Sequence, residues 1–150
     1  SFFRDPEMFE LVNPHLLHRF EYMPDSAGAG RWRGGLGVVT ELEFLDEGAE
    51  ASIFGDGDLP ATAAFGLFGG GPGSVNEVSF TYPDGSTHRP HLKDLVSDIP
   101  RGTVYRQVAG GGGGFGDPRE RPREQVREDV ANGIVSEAVA RELYRLADSS

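Results

Sequence analysis

Apolar and polar residues alternate in short runs over the first two-thirds of the chain. His18 to Met23 sets His18, Phe20 and Tyr22 against Arg19, Glu21 and Met23, which predicts a strand with both aromatics on one face. Leu36 to Leu45 is the strongest run: Val38, Leu42 and Phe44 share one face, Glu41 and Glu43 the other. Asp46-Glu47-Gly48 reads as a hairpin turn, with Ala51 to Phe54 as the strand returning from it. Val78 to Tyr82 alternates again, Pro83-Asp84-Gly85-Ser86 is a turn, and Thr87 to Arg89 returns from it. The last strand is Thr103 to Val108. Before these runs, Pro6 and Pro14 break any long element.

After Val108 the period changes. Pro122 suits a first helical position, Val126 and Val130 are four apart, and Gly133 suits the position just past a helix end. Ser136 is a natural N-cap for a second helix, with Val139, Ala140, Leu143 and Tyr144 as its buried stripe. The expected fold class is α+β: a mainly antiparallel β body over about 17–109, a glycine loop over 110–118 and a two-helix hairpin over about 121–147. All of it falls in one domain of 150 residues.

Three glycine-rich segments punctuate this pattern: Pro24 to Gly37, Ala64 to Ser74, and the five-glycine run Gly110–Gly114 that leads into Phe115-Gly116-Asp117-Pro118. The last follows a strand and precedes a helix, but it lacks the Lys-Ser/Thr pair of a phosphate-binding P-loop. Three readings stay open for it. It can let another backbone pack close, line an anion or substrate pocket with its N–H groups, or simply be flexible.

Composition narrows the partners. Hydrophobic residues make up 37 % of the chain and glycine contributes 22 residues, so the core is thin and leaning on a partner is expected. The net charge of −10 argues against a nucleic-acid backbone and against an anionic membrane surface. Lys93 is the only lysine among 14 basic residues, and arginine suits protein interfaces. There is no cysteine, so thiolate chemistry, disulfides and cysteine zinc sites are excluded. No apolar stretch reaches membrane-spanning length, and the N-terminal segment lacks a signal-peptide pattern, so a cytoplasmic location is expected.

No complete active site emerges from residue types and spacing. His15 with His18, and His88 with His91, are pairs without a second cluster, so no metal site is expected. The serines lack a nucleophile-elbow context. Asp25, Asp56, Asp58 and Asp117 lie in glycine-rich surroundings where carboxylates ordinarily make turns and caps. Trp32 stands between Arg31 and Arg33, where it can stack on either or fill core beside the loop.

The three glycine segments with the tail between Arg119 and Tyr144 closely resemble the C-terminal part of the hydantoinase B family. That family includes the second half of ATP-dependent 5-oxoprolinase and the large subunits of acetone- and acetophenone-type carboxylases. Its Asp-Ser-Gly-Gly-Ala-Gly, aromatic, Arg-Gly-Gly pattern is matched from Asp25 to Gly35, with Ala27 in place of the first glycine. Its terminal pattern is matched by Gly111 to Pro118, Asp129-Val130, Gly133, Val135-Ser136 and Ala140-Arg141. Two places depart from it. Pro100-Arg101-Gly102-Thr103 stands where Pro-Gly-Asp is common, and Arg121-Pro122 where Asp-Pro is common.

The resemblance implies a small or split subunit, corresponding to part of a hydantoinase B-type chain, in an ATP-dependent enzyme that hydrolyses a lactam or hydantoin ring. A ketone carboxylase and a purely structural module are the alternatives. It implies larger hydantoinase A-type and B-type partner subunits, with ATP and Mg in those partners and a further divalent metal there left open. This chain would hold no cofactor or metal and would be inactive alone. Catalytic residues stay unknown. The candidate interface or substrate-pocket residues are Asp25, Ser26, Gly28, Arg31, Trp32, Arg33, Gly111, Gly112, Gly113, Phe115 and Asp117.

Overall fold

The structure is a computed structural model that describes Glu7, Glu10 and residues 14–146. The break expected at Pro6 and the last residue of the expected tail lie outside these residues. The fold is mainly antiparallel sheet followed by two short helices. It divides into two compact units. Of the described residues, the first comprises those up to Glu21, Val39–Asp56 and Glu77–Val108; the second comprises Tyr22–Val38, Gly57–Asn76 and those from Ala109 to Leu146.

Among the described residues seven strands form: β1 His15–Met23, β2 Gly37–Phe44, β3 Ala49–Phe54, β4 Glu77–Thr81, β5 Thr87–His88, β6 Lys93–Ile99 and β7 Val104–Ala109. Five of them make a sheet in the order β1-β2-β7-β4-β5, and β3 and β6 make a separate antiparallel ribbon. The β4–β5 hairpin turns where expected: Tyr82 N–H donates to Ser86 O at 2.9 Å and Gly85 takes a φ of +84°. The hairpin expected between Leu36–Leu45 and Ala51–Phe54 does not form. Both edges of β2 are taken, by β1 and β7, so β3 leaves the turn at Gly48 and pairs with β6.

The core of the first unit lies between sheet and ribbon. Phe44, Val78 and Phe80 come from the sheet, Ile53, Val96 and Ile99 from the ribbon, and Leu92 from the segment before β6. The Phe80 ring lies 6.4 Å from Phe44 and 5.1 Å from Tyr105. Each such large apolar side chain contributes about 1.5–3 kcal/mol on burial. Along β4, Glu77 and Ser79 alternate with core-facing Val78 and Phe80, so the acid falls on the opposite face.

Charges run across the sheet strand by strand. Arg19 on β1 approaches Glu41 on β2 at 3.9 Å, Arg106 on β7 reaches Glu41 at 3.4 Å and Glu77 on β4 at 4.0 Å, and Arg89 reaches Glu77 at 3.3 Å. Along this row the signs alternate at every step, the favourable arrangement for cross-strand charges. At the first departure from the family pattern, the turn closes without an aspartate. Thr103 donates its hydroxyl to Pro100 O at 2.7 Å, and Gly102 sits at φ +82°.

In the second unit, a short 3-10 turn over Pro118–Glu120 leads to α1, Arg123–Ala131, and α2, Glu137–Glu142. Pro122 precedes α1 as its N-cap, and Gly133 past its end has a φ of +67°. Ser136 caps α2 as expected, its hydroxyl accepting from Val139 N–H at 3.2 Å. Ala140 and Tyr144 are buried, with Val126, Val135 and Ala29. Leu143, the C-cap residue of α2, is exposed, contrary to the expected stripe: the buried face narrows to Ala140 and Tyr144, four apart.

Candidate functional site

The three glycine-rich segments are joined backbone to backbone in the second unit. Gly28 N–H donates to Gly112 O at 2.8 Å, Gly71 N–H to Ala29 O at 2.7 Å, and Gly114 N–H to Gly71 O at 2.9 Å. Trp32 and Phe115 exchange two N–H···O bonds, at 3.0 and 2.8 Å. Leu67 N–H donates to Gly114 O, and Gly116 N–H to Leu67 O, both at 2.9 Å. The segments therefore satisfy one another's peptide groups without forming regular strands, as buried backbone requires.

Close approach is what demands glycine here. A β-carbon on Gly34 would lie 1.9 Å from Gly112 O, and one on Gly111 would lie 2.1 Å from Ser26 O. Neither glycine is in the left-handed region, so space and not φ excludes a side chain. The crowding has the logic of the collagen axis, where only glycine fits between adjacent chains. Of the readings left open for the five-glycine run, the close crossing matches these contacts.

Several N–H groups of the run that an anion could use are already donating. Gly110 N–H is 2.7 Å from Asn76 Oδ1, Gly111 N–H 3.0 Å from Ser74 Oγ, and Gly112 N–H 2.9 Å from Gly35 O. The polar side chains of the region are spent in the same way. Ser26, fully buried, donates to Met23 O at 2.5 Å and accepts from Gly37 N–H at 2.7 Å. Asp25, at φ +56°, accepts from Ser136 N–H at 2.7 Å.

Asp117 caps the 3-10 turn by accepting from Arg119 N–H at 2.9 Å. The Arg119 guanidinium grips the same carboxylate; its hydrogen bonds and the backbone one push the Asp117 pKa down to about 2. Arg33 reaches Asp129 at 3.1 Å, and Arg121 reaches the other oxygen of that carboxylate at 2.9 Å through Nη2 and 3.1 Å through Nε. Arg121 also donates to Arg31 O at 3.2 Å. Arg121 is the second departure from the family pattern, and here it ties the tail to the first glycine segment. Arg31 itself points outward and approaches Glu120 at 3.8 Å.

Sequence reasoning placed Tyr144 in a helix stripe, Asp129 in the family pattern and Arg121 at a departure from it, but gave none of them a role at the site. Asp129 is buried on α1 between two guanidiniums that lie 96 and 8 residues away in sequence, a pairing no local pattern announces. The Tyr144 phenol is buried against the Gly30 backbone, and that burial raises its pKa. Among the described residues, no group of three His, Cys, Asp or Glu is placed to hold a metal ion. His88 and His91 are exposed, and His18 pairs with Glu43 at 2.7 Å.

The aromatic residues of the glycine segments face outward. Trp32 is 60 % exposed, Phe65 75 %, Phe68 78 %, Leu67 48 % and Phe115 46 %. Core filling by Trp32 is thereby overturned: the exchanged bonds with Phe115 put both side chains on one face of the array. The Phe68 and Phe115 rings lie 5.1 Å apart. The arrangement is a glycine-locked platform that displays an apolar surface. Its carboxylates and hydroxyls cap turns or pair with arginine.

Known proteins share the sequence and fold of this chain. Residues 2–118 match the family described as hydantoinase B/oxoprolinase. The chain is 37 % identical over 145 residues to the caprolactamase beta subunit of Pseudomonas jessenii, covering 93 % of this chain and 24 % of that protein. It is 32 % identical over 139 residues to the putative D-/L-hydantoinase B subunit of Pseudomonas sp. (strain NS671), covering 89 % and 22 %. The crystal structure of the ATP-dependent caprolactamase from Pseudomonas jessenii superposes with a TM-score of 0.79 at 34 % identity, over 97 % of this chain and 25 % of that one. A nucleotide-free acetone carboxylase shares the fold, with a TM-score of 0.79 at 22 % identity over 96 % of this chain and 23 % of that one. The chain thus spans about a quarter of the length of the relatives it matches. With the family match over most of the chain and the shared fold, the chain belongs to the hydantoinase B/oxoprolinase family.

Proposed function

We propose that this chain supplies the C-terminal part of a hydantoinase B-type subunit in an ATP-dependent, multi-subunit, cytoplasmic enzyme that opens a lactam or hydantoin ring by hydrolysis. The observation that carries this reading is the 37 % identity to a caprolactamase beta subunit across nearly the whole chain. The likeness to acetone carboxylase, at 22 % identity, supports the fold alone.

In this reading a hydantoinase A-type partner binds ATP and Mg and activates the substrate by phosphorylation, and the B-type subunit handles the activated species. The glycine platform is the rigid support of that subunit. Its candidate residues Asp25, Ser26, Gly28, Arg31, Trp32, Arg33, Gly111, Gly112, Gly113, Phe115 and Asp117 act by packing, capping and contact. None of them attacks the ring.

The test is reconstitution with A-type and B-type chains, reading ATP hydrolysis in the presence of caprolactam, hydantoin, or acetone with bicarbonate. Lactam- or hydantoin-dependent ATP turnover that requires this chain supports the reading. Turnover only with ketone and bicarbonate turns it to carboxylation. Turnover indifferent to the chain leaves a structural module without a part in catalysis.

A further inference from the structure

Trp32, Phe65, Leu67, Phe68 and Phe115 come from three separate segments, yet all lie on the second unit and all are exposed. The glycine array fixes their backbones. Phe65 O lies against Gly113, Leu67 bonds to Gly114 and Gly116, and Trp32 is paired with Phe115. Phe68 is held at a φ of +51°, followed by Gly69 at +94°. Positive φ is unfavourable for a bulky aromatic, and such outliers collect where a surface has a task. The nearby charges are compensated in place, Arg31 by Glu120 and Arg119 by Asp117. An apolar centre with a polar rim is the anatomy of a protein interface, and contiguous apolar patches on free surfaces mark such sites.

We propose that this aromatic face is the seat of the remainder of a hydantoinase B-type chain, the portion its relatives carry and this sequence does not match; the proposal rests on the function proposed above. Two observations select that occupant. Residues 1–150 cover 25 % of the solved caprolactamase chain and 24 % of the curated beta subunit, so about three quarters of each relative lies outside the match. A second copy is opposed by charge, since each copy carries −10. The occupant therefore presents apolar side chains to the rings and brings no acidic excess.

Trp32 is the only tryptophan in the chain, so 5-fluorotryptophan labels the face at a single position. The labelled chain is titrated with unlabelled, recombinant hydantoinase B-type chain from the same genome, and the fluorine resonance of Trp32 is followed. The resonance is expected to shift on binding. The double variant Phe65→Ser/Phe68→Ser is expected to bind at least about tenfold more weakly, as truncating central aromatic anchors does. Phe54→Ser, at an exposed aromatic on the β3–β6 ribbon, is expected to change affinity less than about twofold. Circular dichroism and thermal midpoints of the variants are compared with the parent to confirm folding.

If the parent binds while Trp32 stays unmoved and the double variant binds equally well, the seat lies elsewhere and the proposed function stands. If the parent does not bind the B-type chain, the proposed function falls and the seat with it. If the Trp32 resonance shifts with concentration of the labelled chain alone, a second copy is the occupant and the proposal is overturned.

Discussion

A β-carbon placed on Gly113 would lie 2.0 Å from the carbonyl oxygen of Phe65. The oxygen is backbone and the β-carbon's position is set by backbone, so neither can rotate away. Gly112, its neighbour in the run, faces Gly35 N at 3.2 Å, a contact that yields by a few tenths of an ångström. Gly113→Ala is therefore expected to cost about 3 kcal/mol, at the upper end of overpacking, and Gly112→Ala less than about 1 kcal/mol. In a chain of this size, 1 kcal/mol moves the thermal midpoint by about 2–4 °C. Unfolding of the two variants side by side checks this. Equal midpoints would mean that the glycine segments do not touch as described.

That contrast shows where sequence reading stopped. Five identical letters carry no record of which α-carbon faces which carbonyl; only the partner segments decide it. The strands were legible wherever alternation was clean, as in β2, β4 and β7. β6 was missed because its register slips: Ala49 pairs with Ile99 and Ala51 with Val96, and Asp98 turns to a φ of +54°. The bulge puts the buried residues Val96 and Ile99 three apart, which hides a period of two. The caps Ser136, Gly133 and Asp117 were legible because capping is local chemistry. The outward face of Trp32 was not, because it depends on pairing with Phe115, 83 positions away.

Asp129 is buried, and its two oxygens are shared between Arg33 and Arg121. Asp129→Asn removes the charge that both guanidiniums face, while nearly preserving shape. Breaking a buried ion pair from one side costs about 3–5 kcal/mol. Asp129→Asn is thus expected to destabilise more than Glu137→Gln, whose partner Arg141 sits in an exposed pair worth at most about 1 kcal/mol. Chemical denaturation of both variants provides the comparison. A smaller loss for Asp129→Asn would show that the cluster is not closed from water.

Hydrogen bonds from Arg119 hold Asp117 down to about 2 from its ordinary 3.8. A folded pKa below the unfolded one means the unfolded chain binds more protons between the two values. The contribution is therefore complete above pH 3.8 and is lost as pH falls toward 2. His15 acts in the same direction higher up, since burial lowers its pKa from 6.5 and its contribution falls as pH drops below that. Two separate acid windows are expected in stability against pH. Asp117→Asn should flatten only the lower one, by a small amount because the pair lies at the surface. Carboxyl-resolved NMR titration reads Asp117 directly, and a midpoint near 4 would refute the grip by Arg119.

Asp25 joins the first glycine segment to the tail in two ways: its N–H donates to Ile134 O at 3.0 Å, and its carboxylate accepts from Ser136 N–H at 2.7 Å. It does so at a φ of +56°, which aspartate, asparagine and glycine tolerate better than other residues. Three substitutions separate these terms. Asp25→Asn keeps both an acceptor oxygen and the backbone tolerance, so it is expected to cost less than about 1 kcal/mol. Asp25→Gly keeps the backbone freedom but leaves Ser136 N–H without its acceptor, at about 1–2 kcal/mol. Asp25→Ala loses the acceptor and adds left-handed strain of about 1–2 kcal/mol, so it is expected to be the worst of the three. Thermal unfolding should rank them Asn, Gly, Ala from mildest to most severe. The same series run through the reconstituted enzyme tests whether Asp25 is only a clamp. Turnover should fall in step with stability, and Asp25→Asn should retain most of it. A stable Asp25→Asn variant without turnover would make the carboxylate a chemical participant and overturn the clamping role.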